Sequence, residues 1–231
     1  MAKSPKTAKK APRKKALPPA EQARIAEIFR RFEDQESDPR TELDYASPFA
    51  LVVAVALSAQ ATDISVNKAT GKLFAVADTP AAMLALGEAG LKAFIASIGL
   101  FNTKARNVIA LSRILLEQHG GEVPLTREAL QALPGVGRKT ASVVLNELRI
   151  EPAIAVDTHV FRVAHRLGLA RGKTPDQVEA QLMAIVPAPL QTRAHHWLIL
   201  HGRYVCVARR PKCAACVVAD LCPSWSLFMA K

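Results

Sequence analysis

The four cysteines of the chain all lie in one short segment near the C-terminus, and they restrict how that segment can fold. They are Cys206, Cys213, Cys216 and Cys222, in the spacing C-x6-C-x2-C-x5-C. Four thiolates this close together in the sequence can hold an iron–sulfur cluster or a structural metal ion. The spacing favours a cluster, because zinc modules usually carry two close pairs and only Cys213 and Cys216 form one here.

Two disulfides are the alternative use of these cysteines. Nothing at the N-terminus resembles a secretory signal, so we expect a reducing compartment in which the thiols serve as ligands. In a bacterium that compartment would be the cytoplasm, in association with the nucleoid. Arg209, Arg210 and Lys212 lie between the first two cysteines. A loop that is held by a metal and carries exposed cations is expected to contact phosphate.

Much of the positive charge of the chain lies at its N-terminus. The net charge is +11, and the first fifteen residues hold seven of the 31 basic residues and no acidic one. The other 24 basic residues face 20 acidic ones, so any nucleic-acid surface on the body must be local. We interpret residues 1–19 as a disordered basic tail. Aromatic residues make up only 5%, which argues against a single-strand binder built on stacking.

Apolar residues recur at three-to-four spacing from Pro19 onward, and no segment alternates as a strand does. The pattern predicts an all-α fold with short connections. Two separate helices are expected over 80–86 and 91–98, and Asp63 and Asn102 are expected to cap the helices that follow them. The most apolar stretch, Phe49 to Ala59, is too short to span a membrane.

The segment 133–141 reads LPGVGRKTA and lies between two helical patterns. Gly135 and Gly137 permit positive φ in a tight turn. Arg138 in front of Lys139 excludes a P-loop, and a dinucleotide fingerprint would need a third glycine and a preceding strand. A short helix, a Gly-x-Gly turn and a second helix form a helix-hairpin-helix, which grips a DNA phosphate without reading sequence. An ordinary turn between two helices is the alternative.

Lys139 and Asp157 each open a predicted helix, and one short connection joins those helices. The positive potential at a helix N-terminus favours the neutral amine of Lys139, which can act as a nucleophile. Asp157 follows three apolar residues, where the commoner role is that of a helix N-cap. A carboxylate beside the amine could also exchange a proton or stabilise developing positive charge.

The histidines of the predicted helices do not require a catalytic or metal-binding role. His195, His196 and His201 share one predicted helix, and we expect packing or phosphate contacts rather than a metal site. His159 follows Asp157 by two residues, and its role is open.

Six features, taken in order, resemble the endonuclease III family of DNA base-excision glycosylases. The resemblance covers roughly residues 20–225 and leaves only the basic tail outside. The matching segments are LSAQATDISVNKAT at 57–70, IGLFNTKARN at 98–107, LPGVGRKTASVVLNE at 133–147, IAVDTHVFRV at 154–163, HHWLILHGRYVC at 195–206, and the four-cysteine spacing.

The resemblance implies two helical domains with duplex DNA bound in the cleft between them. A six-helix barrel domain that carries the helix-hairpin-helix is expected over 41–151. The second domain would join 20–40 to 152–231 and hold a [4Fe–4S] cluster on the four cysteines. The protein is expected to be a monomer without membrane attachment.

The resemblance also implies an activity, the removal of oxidised pyrimidines from duplex DNA followed by strand cleavage at the abasic site by β-elimination. Carried over by motif, Lys139 attacks the sugar C1′, and Asp157 assists base departure and proton transfer. Gln60 and Leu100 match positions that fill the gap and wedge the stack after base flipping. On their own they would be a helix-face glutamine and a core leucine. The other expected DNA contacts are Gly135, Gly137, Arg138, Thr140, His159, Arg209, Arg210 and Lys212.

Three other functions compete with this one. A non-catalytic duplex-binding module would use only the hairpin and the metal loop, but the presence of both Lys139 and Asp157 argues against it. A zinc-stabilised regulatory protein would share the cysteines. Mismatch glycosylases that remove adenine resemble this core, but they generally lack the lysine and carry a further C-terminal domain, whereas this chain ends nine residues after Cys222.

Overall fold

The computed structural model describes residues 17–229, and that range is helical and contains no β-strand. The predicted basic tail lies almost wholly outside the described residues. The all-α prediction is confirmed. In order, the α-helices of the described part are α1 (Pro19–Gln35), α2 (Pro48–Ser58), α3 (Asp63–Phe74), α4 (Pro80–Ile95), α5 (Phe101–His119), α6 (Arg127–Gln131), α7 (Arg138–Glu147), α8 (Thr158–Arg166), α9 (Pro175–Ile185), α10 (Gln191–Tyr204) and α11 (Trp225–Met229).

Many of these helices begin where the sequence supplies a hydroxyl cap. A serine or threonine oxygen accepts a hydrogen bond from a backbone N–H of the first turn, which otherwise has no partner. Proline also occupies the first turn of α1, α2, α4 and α9, where its missing N–H is not needed. The capping residues are Ser47, Thr62, Thr79, Thr126 and Thr174.

Two predicted caps are wrong. Thr62 caps α3, while Asp63 is the first helical residue and its carboxylate pairs with Arg203. The helix α5 begins before Asn102, because Leu100 occupies the N-cap position in a left-handed conformation, with φ 60° and ψ 25°. In each case a neighbouring residue occupies the N-cap position in place of the polar residue that was expected there.

The two short helices predicted over 80–86 and 91–98 form one element, α4, with a kink. Gly87 has φ 71° and ψ 171°, values that are non-helical and that a residue with a Cβ rarely adopts. The helix resumes after this residue and continues to Ile95.

The helices α2 to α7 enclose the first of two buried cores. Eight of the eleven residues of α2 are buried, because this helix is apolar on every face and lies at the centre of the group. No helix within residues 17–229 is long and apolar enough to cross a membrane. The surrounding helices contribute, among others, Val66, Leu73, Met83, Leu91, Ile95, Leu111, Leu130 and Leu145.

The helix α1 packs with the C-terminal third of the chain to form the second core. Its buried face consists of Ile25, Ile28, Phe29 and Phe32, which cluster with side chains of α8, α9 and α10. Arg24 strengthens the association, because its guanidinium donates to the carbonyl oxygens of residues 167 and 221 at 2.9 and 2.8 Å.

Asn146 joins the two cores at the end of α7. Its side chain is fully buried, its Nδ2 donates to the Thr192 carbonyl at 3.1 Å, and its Oδ1 accepts from the Ala153 N–H at 3.0 Å. Because both polar atoms are used, the amide fixes α7 against the segment that leads to α8 and against α10.

Candidate active-site cleft and cysteine cavity

A cleft lined by residues of both halves of the molecule brings together several residues that the sequence singled out. Its empty volume is about 810 Å³, part of which is open to solvent. Lys139, Thr140, Asp157 and Gln60 all line it, although they come from three separate segments of the chain. The fold therefore brings the proposed amine and the proposed carboxylate into one site.

Lys139 is the second residue of α7, separated from the glycine turn by Arg138 alone. Gly137 is the N-cap of this helix, and within residues 17–229 no side chain caps the helix, so its first N–H groups have no side-chain partner there. These N–H groups form the positive end of the dipole of α7. That end lies in the same helical turn as Lys139, and it is also a ready site for an anion.

The two hairpin glycines have different roles. Gly135 has φ 81°, and a Cβ at this position would lie 3.0 Å from the Cβ of Asn107, so conformation and packing both require glycine. The prediction of positive φ at Gly137 is wrong, since its φ of −84° and ψ of 178° are extended. Apart from Gly137 and its two chain neighbours, no heavy atom of the described residues lies within 4 Å of the place where a Cβ on Gly137 would sit. The backbone there is consequently open to an approaching group.

Asp157 is both the N-cap of α8 and a residue of the cleft, so the two interpretations of the sequence are compatible. Its Oδ1 accepts from the N–H groups of His159 and Val160, each at 2.8 Å. Within residues 17–229, Oδ2 accepts no hydrogen bond. The cap therefore fixes the orientation of the carboxylate while one oxygen remains for the cleft.

His159 lies beside this cap, but it is not among the residues that line the cleft. Its Nδ1 is 3.2 Å from Nη2 of Arg162, which also donates to the Gly202 carbonyl at 2.8 Å. A Cβ on Gly202 would come within 2.9 Å of the Cβ of His159. These contacts show that His159 packs where α8 meets α10.

Two histidines of α10 line the cleft, and they differ in their hydrogen bonding. Nε2 of His196 lies 2.9 Å from a carboxylate oxygen of Glu147, whose other oxygen accepts from the Tyr45 hydroxyl at 2.8 Å. His195 is buried, and its Nδ1 has no hydrogen-bond partner in the described part of the chain. Burial, together with nearby positive charges, holds the pKa of His195 well below its usual value of 6.5, so the imidazole is neutral.

Arg203 forms a further part of the wall that the sequence did not indicate. Its guanidinium pairs with the carboxylates of Glu42 and Asp63, and all three residues line the cleft. The three come from separate segments of the chain, and no motif links them to one another. Only the fold reveals that they form one ion-pair network.

Gln60 and Leu100 share an unusual backbone conformation. Their φ values are 58° and 60°, in the left-handed region that is unfavourable for residues with a Cβ, and Arg149 is the other such residue within 17–229. The side chain of Leu100 is 63% exposed, so it is not a core leucine, and Gln60 follows α2 in a turn rather than lying on a helix face. Strained, exposed positions of this kind are typical of functional sites.

The four cysteines line a second, separate cavity with an empty volume of about 350 Å³, including space open to solvent. All four thiols are free of disulfide bonds and partly buried, so the disulfide alternative is wrong. The remaining lining is largely apolar and includes Leu167, Val205, Trp225 and Phe228. An enclosed set of four sulfurs with an apolar surround is what an iron–sulfur cluster requires.

The chemistry of these thiols also fits a cluster. Burial raises the pKa of the Cys216 thiol to about 11 and raises the pKa of the Cys222 thiol, so cations are needed to hold them as thiolates. Within residues 17–229, no group of three His, Cys, Asp or Glu side chains is placed to hold a single metal ion. Sulfurs that line one cavity without converging on one point suit a cluster, in which each thiolate binds a different iron.

Arginines of α8 fix the loop that carries the cysteines. Arg166 donates to the carbonyl oxygens of Val207 and Ala208 at 2.8 Å each, and its Nη1 lies 3.5 Å from the sulfur of Cys206. His201 lies on another side, with its Nε2 3.6 Å from the sulfur of Cys216. Burial lowers the pKa of His201 to about 4, so it faces the sulfur as a neutral ring.

The cations predicted to meet phosphate fall into two groups. Arg209, Arg210 and Lys212 are exposed on the cysteine loop. Arg138 is half exposed, but its guanidinium pairs with Asp176 at 3.3 Å and Glu179 at 3.0 Å on α9. A phosphate at Arg138 would therefore have to compete with two carboxylates.

Comparison with known proteins gives a consistent result. Residues 53–188 match the HhH-GPD superfamily of base excision DNA repair proteins, and residues 206–222 match the iron–sulfur binding domain of endonuclease III. Endonuclease III of Escherichia coli strain K12 is 59% identical over 200 residues, which cover 87% of this chain and 95% of that protein.

Solved structures agree. A non-covalent endonuclease III–DNA complex superposes with a TM-score of 0.85 at 42% identity, covering 91% of this chain and 99% of the other. A trapped endonuclease III–DNA covalent intermediate gives a TM-score of 0.84 at 42% identity, covering 90% and 98%.

The helical fold and the cleft define a helix-hairpin-helix protein of base excision repair. Within that superfamily, the chain belongs to the endonuclease III family. It is a bifunctional DNA glycosylase and abasic-site lyase that carries a [4Fe–4S] cluster, and the matched iron–sulfur binding domain spans the four cysteines. The family, the enzyme class and the cofactor predicted from the sequence are thereby confirmed.

Proposed function

We propose that this enzyme removes oxidised pyrimidines from duplex DNA and then cuts the strand at the abasic site, with Lys139 and Asp157 as its catalytic residues. One observation carries the proposal. The lysine at the start of α7 and the carboxylate at the start of α8 line the same solvent-accessible cleft. An amine nucleophile with a positioned proton carrier is the minimum that both chemical steps need.

The amine of Lys139 attacks C1′ of the sugar, and the bond between C1′ and the base breaks as the base leaves with a proton. The C1′–O4′ bond then breaks and O4′ takes up a proton, so the opened sugar is held on the lysine as a positively charged imine, which acidifies the C2′ proton. Loss of that proton sends an electron pair toward C3′, and the C3′–O bond breaks with departure of the 3′ phosphate. Hydrolysis of the imine then returns the free amine.

Asp157 has the geometry for proton transfer during these steps. Its Oδ1 is held by two backbone N–H groups, so Oδ2 points from a fixed carboxylate rather than from a freely rotating one. A carboxylate near C1′ also stabilises the positive charge that develops on the sugar as the base departs.

Gln60 and Leu100 fill the space that the flipped nucleotide leaves in the duplex. A polar and an apolar side chain at the tips of strained, exposed turns suit this role, because one can hydrogen-bond to the remaining base and the other can wedge the stack. Neither side chain is committed to packing in the protein core.

Phosphate contacts come from the hairpin and from the cysteine loop. The open backbone at Gly137 and the uncapped start of α7 bind a phosphate, and Gly135 holds the turn in shape. Arg138 contributes once its pairs with α9 open, and Thr140 lines the same cleft as Lys139. On the other side, the exposed cations Arg209, Arg210 and Lys212 extend the phosphate surface, with His159 behind the α8 cap.

The two buried cores support a division into a barrel domain over 41–151 and a cluster domain made of 20–40 and 152–231. The DNA lies in the cleft between them. We further propose that the enzyme acts as a monomer, since the cleft holds both catalytic groups within one chain, and that it works in the cytoplasm on nucleoid DNA. The basic tail would add sequence-independent, salt-sensitive attraction to DNA.

A panel of duplexes, each with one defined change, tests the proposal. The panel contains thymine glycol, an oxidised cytosine, an adenine mismatch, an abasic site and an undamaged control. Cleavage of the oxidised pyrimidines and the abasic site, with the mismatched adenine left intact, is the expected pattern. Binding without cleavage of any duplex would favour the non-catalytic module, and excision of adenine would favour the mismatch enzyme.

A further inference from the structure

Gln60 and Leu100 lie on different turns of the barrel domain, and one residue contacts both turns. Lys104, on the first turn of α5, donates from Nζ to the carbonyl oxygens of Leu57 at 2.9 Å and Ala59 at 2.7 Å. Its backbone N–H donates to the Leu100 carbonyl at 3.0 Å. The ammonium therefore ends beside the residue that precedes Gln60, while its own backbone is bonded to Leu100.

The hydrogen bonds of Lys104 replace a missing helix cap. The C-cap of α2 is Ala59, with φ −56° and ψ 116°, and in the described part of the chain its N–H makes no backbone capping bond of the kind seen after α1 or α5. The last carbonyls of a helix need donors and favour a cation. The ammonium supplies both, and it fixes the end of α2 immediately before the left-handed Gln60.

A buried ammonium at this place is unfavourable unless its hydrogen bonds matter. Lys104 is only 7% exposed, and burial lowers the pKa of its amine. Within residues 17–229, no carboxylate lies within ion-pair distance of it, so carbonyl dipoles alone offset the lost hydration. A methionine would fill similar space without that desolvation cost. The lysine is therefore explained by the two hydrogen bonds that its ammonium makes to the end of α2.

We propose that Lys104 is a positioning residue that holds the Gln60 turn and the Leu100 turn at one fixed separation, so that both side chains enter the duplex together. This inference rests on the proposed gap-filling role of Gln60 and Leu100. Lys104 itself does not contact the DNA, since its amine is used inside the protein. Its effect is on the placement of these two strained turns.

The test is Lys104→Met, which keeps the apolar stem and removes the donors. A duplex with a tetrahydrofuran abasic analogue and 2-aminopurine opposite it reports the wedge directly, because the fluorescence rises when the reporter base is unstacked. The enzyme cannot form an imine with this analogue, so the signal is independent of chemistry. We expect the wild-type rise in emission to be mostly lost in Lys104→Met. Single-turnover excision of thymine glycol should fall by about 10–100-fold, as for other misplacements of about 1 Å.

The control for stability is Leu115→Val, which removes one buried methylene group from α5 and its core, far from the two turns. This variant should lower the melting temperature while keeping the fluorescence rise and the excision rate. If Lys104→Met does not fold, Lys104→Gln, which retains a shorter donor, serves in its place with a smaller predicted loss. Normal fluorescence in a folded variant of residue 104 would overturn the inference.

A double-mutant cycle separates this inference from the function on which it rests. Adding Lys104→Met to a variant with Gln60→Ala and Leu100→Ala should change excision by less than about twofold, because the side chains to be positioned are gone. An equal loss in both backgrounds would mean that Lys104 is merely structural. If Gln60→Ala with Leu100→Ala leaves fluorescence and excision intact, the gap-filling role itself is wrong and the inference falls with it.

Discussion

The catalytic cleft and the cysteine cavity are built on opposite principles. The cleft is large and open, and it contains charged groups, a capped carboxylate and a neutral buried histidine, with strained turns nearby. The cysteine cavity is smaller, largely apolar, and held by arginines that donate to backbone carbonyls. One region is arranged to admit and release a substrate, and the other to keep a permanent occupant. Changes in the cleft should therefore remove activity with little loss of stability, and changes in the cavity should do the reverse.

The largest effect should follow from Asp157→Asn. The amide oxygen can still accept the two N–H bonds at the start of α8, so the fold should hold, but the charge and the proton carrier are lost. Base removal should slow by about 10²–10⁴-fold in single-turnover assays. Asp157→Ala, which also removes the cap, should in addition lose about 1 kcal/mol of unfolding free energy. Equal rates for the Asp157→Asn variant and the wild-type enzyme would show that Asp157 is only a cap.

Cys216→Ala should produce the opposite pattern. Loss of one ligand should release iron and sulfide, abolish the visible absorption and reduce the unfolding free energy by about 4 kcal/mol or more. Ala215→Ser, in the same short turn, is the matched control and should keep both iron and stability. Stoichiometric zinc without iron in anaerobically purified wild-type protein would contradict the cofactor assignment.

The hairpin glycines sharpen the comparison within one turn. Gly135→Ala should destabilise the protein by about 1–3 kcal/mol, because the residue has positive φ and a Cβ would meet Asn107. Gly137→Ala should leave the unfolding free energy within about 0.5 kcal/mol of wild type. It should nevertheless weaken DNA binding, since the methyl group would occupy the open space at the start of α7. Identical stability losses for the two variants would refute the distinction.

The smallest effect concerns pH. His195 is neutral when folded, because burial holds its pKa far below 6.5, whereas the unfolded chain takes up a proton near that pH. The stability due to this group is present above pH 6.5 and is lost as the pH falls, by up to about 1.4 kcal/mol per pH unit. His195→Leu should flatten the loss of unfolding free energy between about pH 6.5 and 5. An unchanged slope in His195→Leu would contradict this cause.

The helices were predictable because local signals were strong. Periodic apolar residues, prolines and hydroxyl caps place most of them correctly, and the order of motifs identifies the family. The two wrong cap predictions have local causes. Thr62 caps α3 in place of Asp63, and Leu100 adopts a left-handed conformation that its residue type does not favour. Such outcomes depend on contacts that local sequence signals do not show, here those made by Arg203 and Lys104.

The site was predictable only where residues carry motifs. Lys139, Asp157 and the cysteines sit in recognisable segments, but nothing in the sequence shows that Arg203 joins Glu42 and Asp63, or that Nδ1 of His195 lacks a partner within the described residues. Those features arise when α10 meets Glu42 and Asp63 from distant parts of the chain and closes one wall of the cleft. Long-range contacts of this kind have no period or spacing by which a single sequence could reveal them.

The central claim is that the amine of Lys139 forms the covalent bond to the sugar. Borohydride reduces an imine to a stable amine, so it should trap the wild-type enzyme on a thymine glycol duplex as a permanent adduct. Lys139→Gln should bind the same duplex but give neither adduct nor strand cleavage, while Lys72→Gln, on the exposed face of α3, should behave as wild type. An adduct that survives Lys139→Gln would assign the chemistry to another amine and contradict the account.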